Sequence, residues 1–89
     1  MKNMTTFELP CYDSRQSFYG KARVVEKPNG WKYLLSYDTF VAKISPKGHF
    51  YRLWDGESMT TTRHINSFLR HYGLSGGGVA WWRQQPVHN

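Results

Sequence analysis

Eighty-nine residues make one domain, too little chain for two cores and close to the size at which a single core just suffices. Twelve Lys and Arg against six Asp and Glu leave a net charge of +6, while aromatic residues make up 17% of the chain. That combination excludes a multidomain enzyme with its own cofactor domain and a polar disordered tail, and it favours an anionic partner: nucleic acid, an acidic protein face or a headgroup layer.

The N-terminal stretch MKNMTTFELPCY has no apolar core of the kind a secretory signal needs, and residues 1–15 read as a loosely ordered lead-in to a single domain spanning 1–89. Cys11 is the lone cysteine, so no internal disulfide forms and the expected compartment is the cytoplasm. No apolar run approaches the roughly 20 residues of a membrane span. The first strand-like run is 21–27 (KARVVEK), which ends in Pro28-Asn29-Gly30. Asn-Gly between two such runs predicts a hairpin with a type I′ turn, pairing 21–27 with 31–37. In WKYLLSY, period 2 puts Trp31, Tyr33, Leu35 and Tyr37 on one face and Lys32, Leu34 and Ser36 on the other. The run TFVAKIS groups Phe40, Ala42 and Ile44 and stops at Pro46-Lys47-Gly48, and HFYRLW sets Phe50, Arg52 and Trp54 opposite His49, Tyr51 and Leu53. Short connections join these runs into an antiparallel meander.

After Gly56 the period changes. Ile65, Phe68, Leu69 and Tyr72 recur at i, i+3, i+4 and i+7, the stripe of an amphipathic helix, with Ser58, Thr60 or Thr61 as N-cap and Gly73 as the terminating residue. Gly76, Gly77 and Gly78 read as a flexible joint, and Val79 to Gln85 as one or two helical turns carrying Trp81 and Trp82 before Pro86. The predicted fold is therefore α+β: an antiparallel meander of three to four strands, one amphipathic helix packed across it, and a short C-terminal helical turn.

Catalytic and metal chemistry find little support in this pattern. His64 and His71 stand two helical turns apart, roughly 10 Å, too far to share one ion, and Cys11 has no second thiolate at ligand spacing; both histidines read as boundary residues. No nucleophile sits in a local motif with a base and an orienting acid, and the three glycines are followed by no Lys-Ser or Lys-Thr. No enzyme activity, cofactor or metal is expected.

The basic residues carry more content. From Ser14 to Trp54 the chain has Arg15, Lys21, Arg23, Lys27, Lys32, Lys43, Lys47 and Arg52 against Glu26 and Asp38, and from Ser58 onward it has no acid at all. Arg63, Ser67 and Arg70 project opposite the helix's apolar stripe, and Lys21, Arg23 and Lys27 share a strand face. Cations interleaved with aromatic platforms are what single-stranded nucleic acid binding uses. Lys21, Arg23, Arg52, Arg63 and Arg70 are accordingly the candidates for phosphate contacts. The plainer reading keeps the lysines as solubilising edge charges and the aromatics at 31, 33, 37, 50 and 54 as core filling against the helix. Adjacent Trp81 and Trp82 point about 100° apart on a helix, so one closes the core and the other is free to anchor a partner, with Trp82 and Arg63 the candidate protein-interface residues.

The ordered pattern S-Y-D-T-x-V-A (Ser36 to Ala42), Y-R-L-W (Tyr51 to Trp54), S-M-T-T-T-R-H-I-N-S-F-L (Ser58 to Leu69) and G-G-G-V-A-W-W (Gly76 to Trp82) resembles a family of small uncharacterised proteins from phages and mobile elements of lactobacilli and related Gram-positive bacteria. The likeness spans about residues 20 to 87. It implies a non-enzymatic phage accessory protein working in the bacterial host cytoplasm. Its basic surface would engage nucleic acid or a host nucleoprotein complex. The alternative is a protein-binding inhibitor of host defence, anti-CRISPR-like in kind. Homodimerisation through an unpaired sheet edge fits either.

Overall fold

The computed structural model describes residues 4–10 and 20–88. Five antiparallel strands follow in chain order across one sheet: β1 Thr5–Glu8, β2 Ala22–Glu26, β3 Lys32–Ser36, β4 Thr39–Ile44 and β5 Phe50–Arg52. Two helices follow, α1 Met59–His71 and α2 Val79–Gln84. The α+β architecture is the predicted one with one strand more, because Thr5–Glu8, assigned from sequence to a loose lead-in, pairs with β2 from Thr5↔Glu26 to Glu8↔Arg23. Cys11, Arg15 and the rest of that lead-in through residue 15 lie outside the described residues, apart from Met4 to Pro10.

The two Pro-x-Gly sequences make the same turn. Lys27 N–H bonds Trp31 O at 2.9 Å and Gly30 N–H bonds Lys27 O at 3.0 Å; Ser45 N–H bonds His49 O at 2.9 Å and Gly48 N–H bonds Ser45 O at 2.9 Å. Pro28 and Pro46 lock φ near the value that opens a type I turn, and Gly30 (φ +96°) and Gly48 (φ +89°) then take the left-handed position. The hairpin expected at 28–30 is present, but its loop has three residues, because Pro28 has no N–H with which to bond Trp31 O and close a two-residue Asn-Gly turn, and Lys27 makes that bond instead.

The face that receives α1 is the reverse of the one the aromatic count suggests. Ala22, Val24, Leu34, Val41, Ala42 and Ile44 meet Ile65, Phe68 and Leu69 of α1 and Trp82 of α2, while Trp31, Tyr33 and Tyr37 are left out of this core. Phe50 and Trp54 do pack against it, as expected. A bulge between Leu34/Leu35 and their partners skips Val41, so Leu34 opposes Ala42 and Leu35 opposes Phe40. Val41 and Ala42 are both buried, and Phe40, grouped from sequence with Ala42 and Ile44, turns to the other face.

Several polar residues on the core face find partners across the layers. Ser36 Oγ and His64 Nδ1 share a 2.8 Å hydrogen bond, with Thr61 Oγ1 at 3.4 Å. Tyr72 O–H donates to Glu26 at 2.6 Å, and Lys32 Nζ sits 5.3 Å over the Tyr72 ring. His64 is thus a core residue, 1% exposed, and not the boundary residue expected. Ser67, expected to face solvent, is buried too.

α1 starts at Ser58, whose hydroxyl accepts from Thr61 N–H at 3.0 Å. It ends in a Schellman arrangement: Gly73 N–H bonds Arg70 O at 3.1 Å and Leu74 N–H bonds Leu69 O at 2.8 Å, with Gly73 at φ +77°. From there the chain returns to β5, where Arg52 holds it. The guanidinium, 7% exposed, donates to the carbonyls of Trp54 (2.8 Å), Asp55 (3.0 Å), Gly56 (3.3 Å), Trp82 (3.0 Å), Arg83 (3.4 Å) and Gln85 (3.0 Å). It lies 4.5 Å from the Trp82 ring, whose Nε1–H donates to Gly56 O at 2.7 Å.

Two stability predictions follow from these buried groups. Arg52→Ala leaves a set of carbonyls without donors, and urea unfolding will show a loss of about 3–5 kcal/mol; a loss below about 1 kcal/mol would remove the hub role. Burial, reinforced by the positive charges of Arg63 and Lys21, lowers the His64 pKa from 6.5 to about 4. The unfolded chain then binds the proton that the folded chain refuses, so stability falls as pH drops from about 6.5 and levels off near 4, by about 3 kcal/mol in all. His64→Gln will flatten that part of the pH profile; an unchanged slope in the variant contradicts the assignment.

Candidate nucleic-acid interface

The sheet face turned away from α1 is built by register. Strand pairing sets Thr6, Val25, Tyr33, Lys43 and Tyr51 directly opposite one another, one from each of the five strands, in a single row across the sheet. Directly opposed residues in antiparallel strands project to the same side, so this row is one continuous surface strip. A second row holds Glu8, Arg23, Leu35 and Phe40. Trp31, at the entrance to β3, joins the first row through its ring, 5.9 Å from that of Tyr51. Tyr33 meets Phe40 edge-on at 5.8 Å.

Lysines lie on these rings. Lys43 Nζ stands 4.7 Å from the Trp31 ring centre and 5.7 Å from that of Tyr51, and Lys27 Nζ stands 4.9 Å from Tyr33. The aliphatic stems shelter part of each ring while the ammonium groups stay in water, so aromatic residues occupy a solvent face without forming a bare apolar patch. Val25 is buried beneath them. His88 closes the β5 end of the row, its ring 4.8 Å from Tyr51; its N–H donates to Arg52 O at 2.6 Å, and Val87 pairs with Arg52 in a parallel bridge.

The carboxylates of this face gather at its far end. Glu8 opposes Arg23, and Asp38 lies 3.8 Å from the Arg23 guanidinium. Arg23 also donates to Tyr37 O at 3.2 Å, and Tyr37 N–H donates to Lys21 O at 2.7 Å. Together these bonds brace a two-residue turn in which Tyr37 takes a left-handed φ of +55°, unusual for a bulky residue. The Tyr37 ring lies 5.9 Å from His64, with Lys21 Nζ 5.7 Å above it. Arg23 and Lys21 therefore stand at one corner of the sheet, and the basic, acid-free end is the one bearing Lys27 and Lys43.

The five phosphate candidates read from sequence are not brought together. Arg52 is on the core face, with its donors committed to carbonyls, so it cannot grip a phosphate; alternation placed it with Phe50 and Trp54, and that is the buried side. Arg63 and Arg70 lie on α1, separated from the Tyr33 row by the core and the sheet. Trp82, proposed as a protein anchor, is fully buried under Phe50 and Arg52, and Trp81 is the half-buried member of the pair. Arg83 pairs with Glu57 at 2.6 Å; the guanidinium holds the Glu57 carboxyl below its ordinary range.

What sequence reasoning missed is the set Tyr33, Tyr51, Lys27 and Lys43. The signal was present in the alternation of WKYLLSY and in Lys27 and Lys43 on the neighbouring runs, but the rings were assigned to the core. Among the described residues no group of three or more His, Cys, Asp and Glu is disposed to hold a metal ion, and no helix is long and apolar enough to cross a membrane.

Neither the curated proteins nor the solved structures give a match to this chain. A family model does match, over residues 7–84, which takes in every element from the last half of β1 to the end of α2. The chain belongs to DUF8033, a family of unknown function.

Proposed function

We propose that this protein binds single-stranded nucleic acid on the helix-free face of its sheet, as a non-enzymatic accessory protein. The observation that carries the reading is the Trp31, Tyr33 and Tyr51 cluster with Lys27 and Lys43 lying on its rings. Bases of a single strand stack on exposed rings, each stack contributing about 1–3 kcal/mol, and nearby ammonium groups neutralise the phosphates. The site is a sheet surface, which suits a splayed strand and offers a rigid duplex no groove-entering element. A phage-encoded setting, implied by the sequence resemblance, fits a role on such strands. The rival role as a protein-binding inhibitor named Trp82 and Arg63 as its contacts, and the Trp82 ring is sealed in the core while Arg63 is only partly buried.

Fluorescence anisotropy with labelled single-stranded DNA and RNA, and with a duplex of the same sequence, tests the reading. Single strands will bind more tightly than the duplex, and affinity will fall with salt at roughly 0.7 log units per log unit for each phosphate neutralised. Tyr33→Ala will weaken binding about tenfold and Lys43→Ala will lower the salt slope by about one. Binding that ignores salt, or that Tyr33→Ala and Tyr51→Ala leave unchanged, excludes the platform.

A further inference from the structure

On the other side of the molecule, one flank of α1 and the Gly76–Gly78 loop enclose an open cleft of about 770 Å³. We propose that this cleft is a second, separate binding site, for a small organic phosphate of nucleotide size. Its volume falls within the roughly 300–1,000 Å³ of small-ligand pockets.

The charge of its walls selects an anion. Arg63 and Arg70 line it, seven residues apart on α1; helix geometry sets them about 10 Å apart along the axis and nearly in line, so they bracket one ligand from its two ends. Among the described residues no carboxylate lines the cleft, and residues 58–89 contain no Asp or Glu. The same positive field is felt inside α1, where Arg63 disfavours protonation of His64. Guanidinium groups present planar, multiply donating faces to phosphate oxygens, which makes phosphate the anion of choice. Thr62, Asn66, Ser67 and Ser75 add neutral polar groups to the lining, and Leu74, Val79 and Met59 give it an apolar part; Met59 is the most solvent-exposed large hydrophobic among the described residues, at 77%. A ligand with a phosphate at the arginines and an apolar or aromatic body on these side chains satisfies both parts.

The cleft is also rigidly built. Asn66 Nδ2 donates to Thr62 O at 3.0 Å and across the cleft floor to Gly77 O at 2.7 Å, tying the loop to the helix. The glycines are needed for close packing, not as a joint. A Cβ on Gly76 would stand 2.7 Å from Leu69 Cδ1 and 2.9 Å from the Trp81 ring, and one on Gly77 would stand 2.7 Å from Trp81 Cβ. Gly78, by contrast, has open space around its Cβ position and an ordinary extended φ of −81°, so a side chain there enters the free volume without straining the fold.

The test follows backbone amide NMR shifts with three probes: ADP, pyrophosphate and adenosine. Expected are saturable shifts at Gly76–Val79 and around Arg70 with millimolar ADP, weaker ones at the same amides with pyrophosphate, and none with adenosine. Arg70→Gln will weaken ADP binding about tenfold, the equivalent of one charge-assisted hydrogen bond, Gly78→Leu will abolish it, and Tyr33→Ala will leave it unchanged. A 5′-phosphorylated oligonucleotide that displaces ADP at lower concentration than free nucleotide does identifies a strand-borne phosphate as the occupant; the reverse identifies a free nucleotide. Absent shifts at these amides, shifts indifferent to both cleft variants, or shifts confined to the Tyr33 face and lost in Tyr33→Ala overturn the site.

Discussion

One side chain of β5 fastens together the two ends of the helical segment that follows it. The Arg52 guanidinium ties the segment that leaves β5 (Trp54, Asp55, Gly56) to the C-terminal end of α2 (Trp82, Arg83, Gln85), two stretches some thirty residues apart in sequence. A buried cation is costly unless its donors are used, and here backbone carbonyls use them, including those a short helix leaves unpaired at its C-terminal end. Trp82 completes the arrangement by lying against the guanidinium and bonding Gly56. Gly56 must be glycine for this, since a Cβ there would stand 2.3 Å from the Trp54 ring. With β5 thus closed on the core side, α1 is confined to the face bearing Leu34 and Ser36, and the opposite face is left to the rings.

That confinement explains which parts of the molecule were legible in the sequence. Turn residues and periodicity place the four hairpin-linked runs and α1 within a residue or two, because Pro28, Pro46, Ser58 and Gly73 act locally. Period 2 also divides β3 correctly into two sets of residues. It cannot say which set is buried. Lys32 and Ser36 look like solvent residues in their own strand, and they become core-facing only because Tyr72 and His64, on an element far along the chain, supply their partners. Arg52 is the same case in a stronger form: a cation within a strand reads as surface until six carbonyls from elsewhere are counted.

The candidate site failed to read for the converse reason. Four Trp and six Tyr in so short a chain look like core material, yet the sheet residues beneath α1 are mostly small, Ala22, Val24, Val41 and Ala42 among them, so the helix sits close and leaves no room for large rings. The bulge at Val41 reinforces this by turning Phe40 outward while burying two small residues in succession. Nothing in the local pattern of TFVAKIS announces an extra residue, and a one-residue slip changes the face of every residue on one side of it. β1 escaped for a different reason: Thr5–Glu8 is short and polar at all but Phe7, and it becomes a strand only because β2 offers it an edge.

The lysines on the rings bear directly on how such a face would take up a nucleic acid strand. In the free protein each ammonium rests on a ring at a gain of about 0.5–1 kcal/mol, typical of an exposed cation–π contact. A base that takes the ring surface forfeits that gain and returns about 1–3 kcal/mol of stacking, and the displaced ammonium is left on a flexible stem within reach of the adjoining phosphate. The exchange therefore runs downhill without moving the backbone, since rings fixed by Trp31–Tyr51 and Tyr33–Phe40 contacts are already in place. His88 makes a comparable contact with Tyr51 at the row's end and is held there mainly through the backbone of β5. Under the proposed function, exchange at Tyr33 would then be easier than at Tyr51, so the platform would have a direction: a strand would seat first on Tyr33 beside Lys27 and extend toward β5.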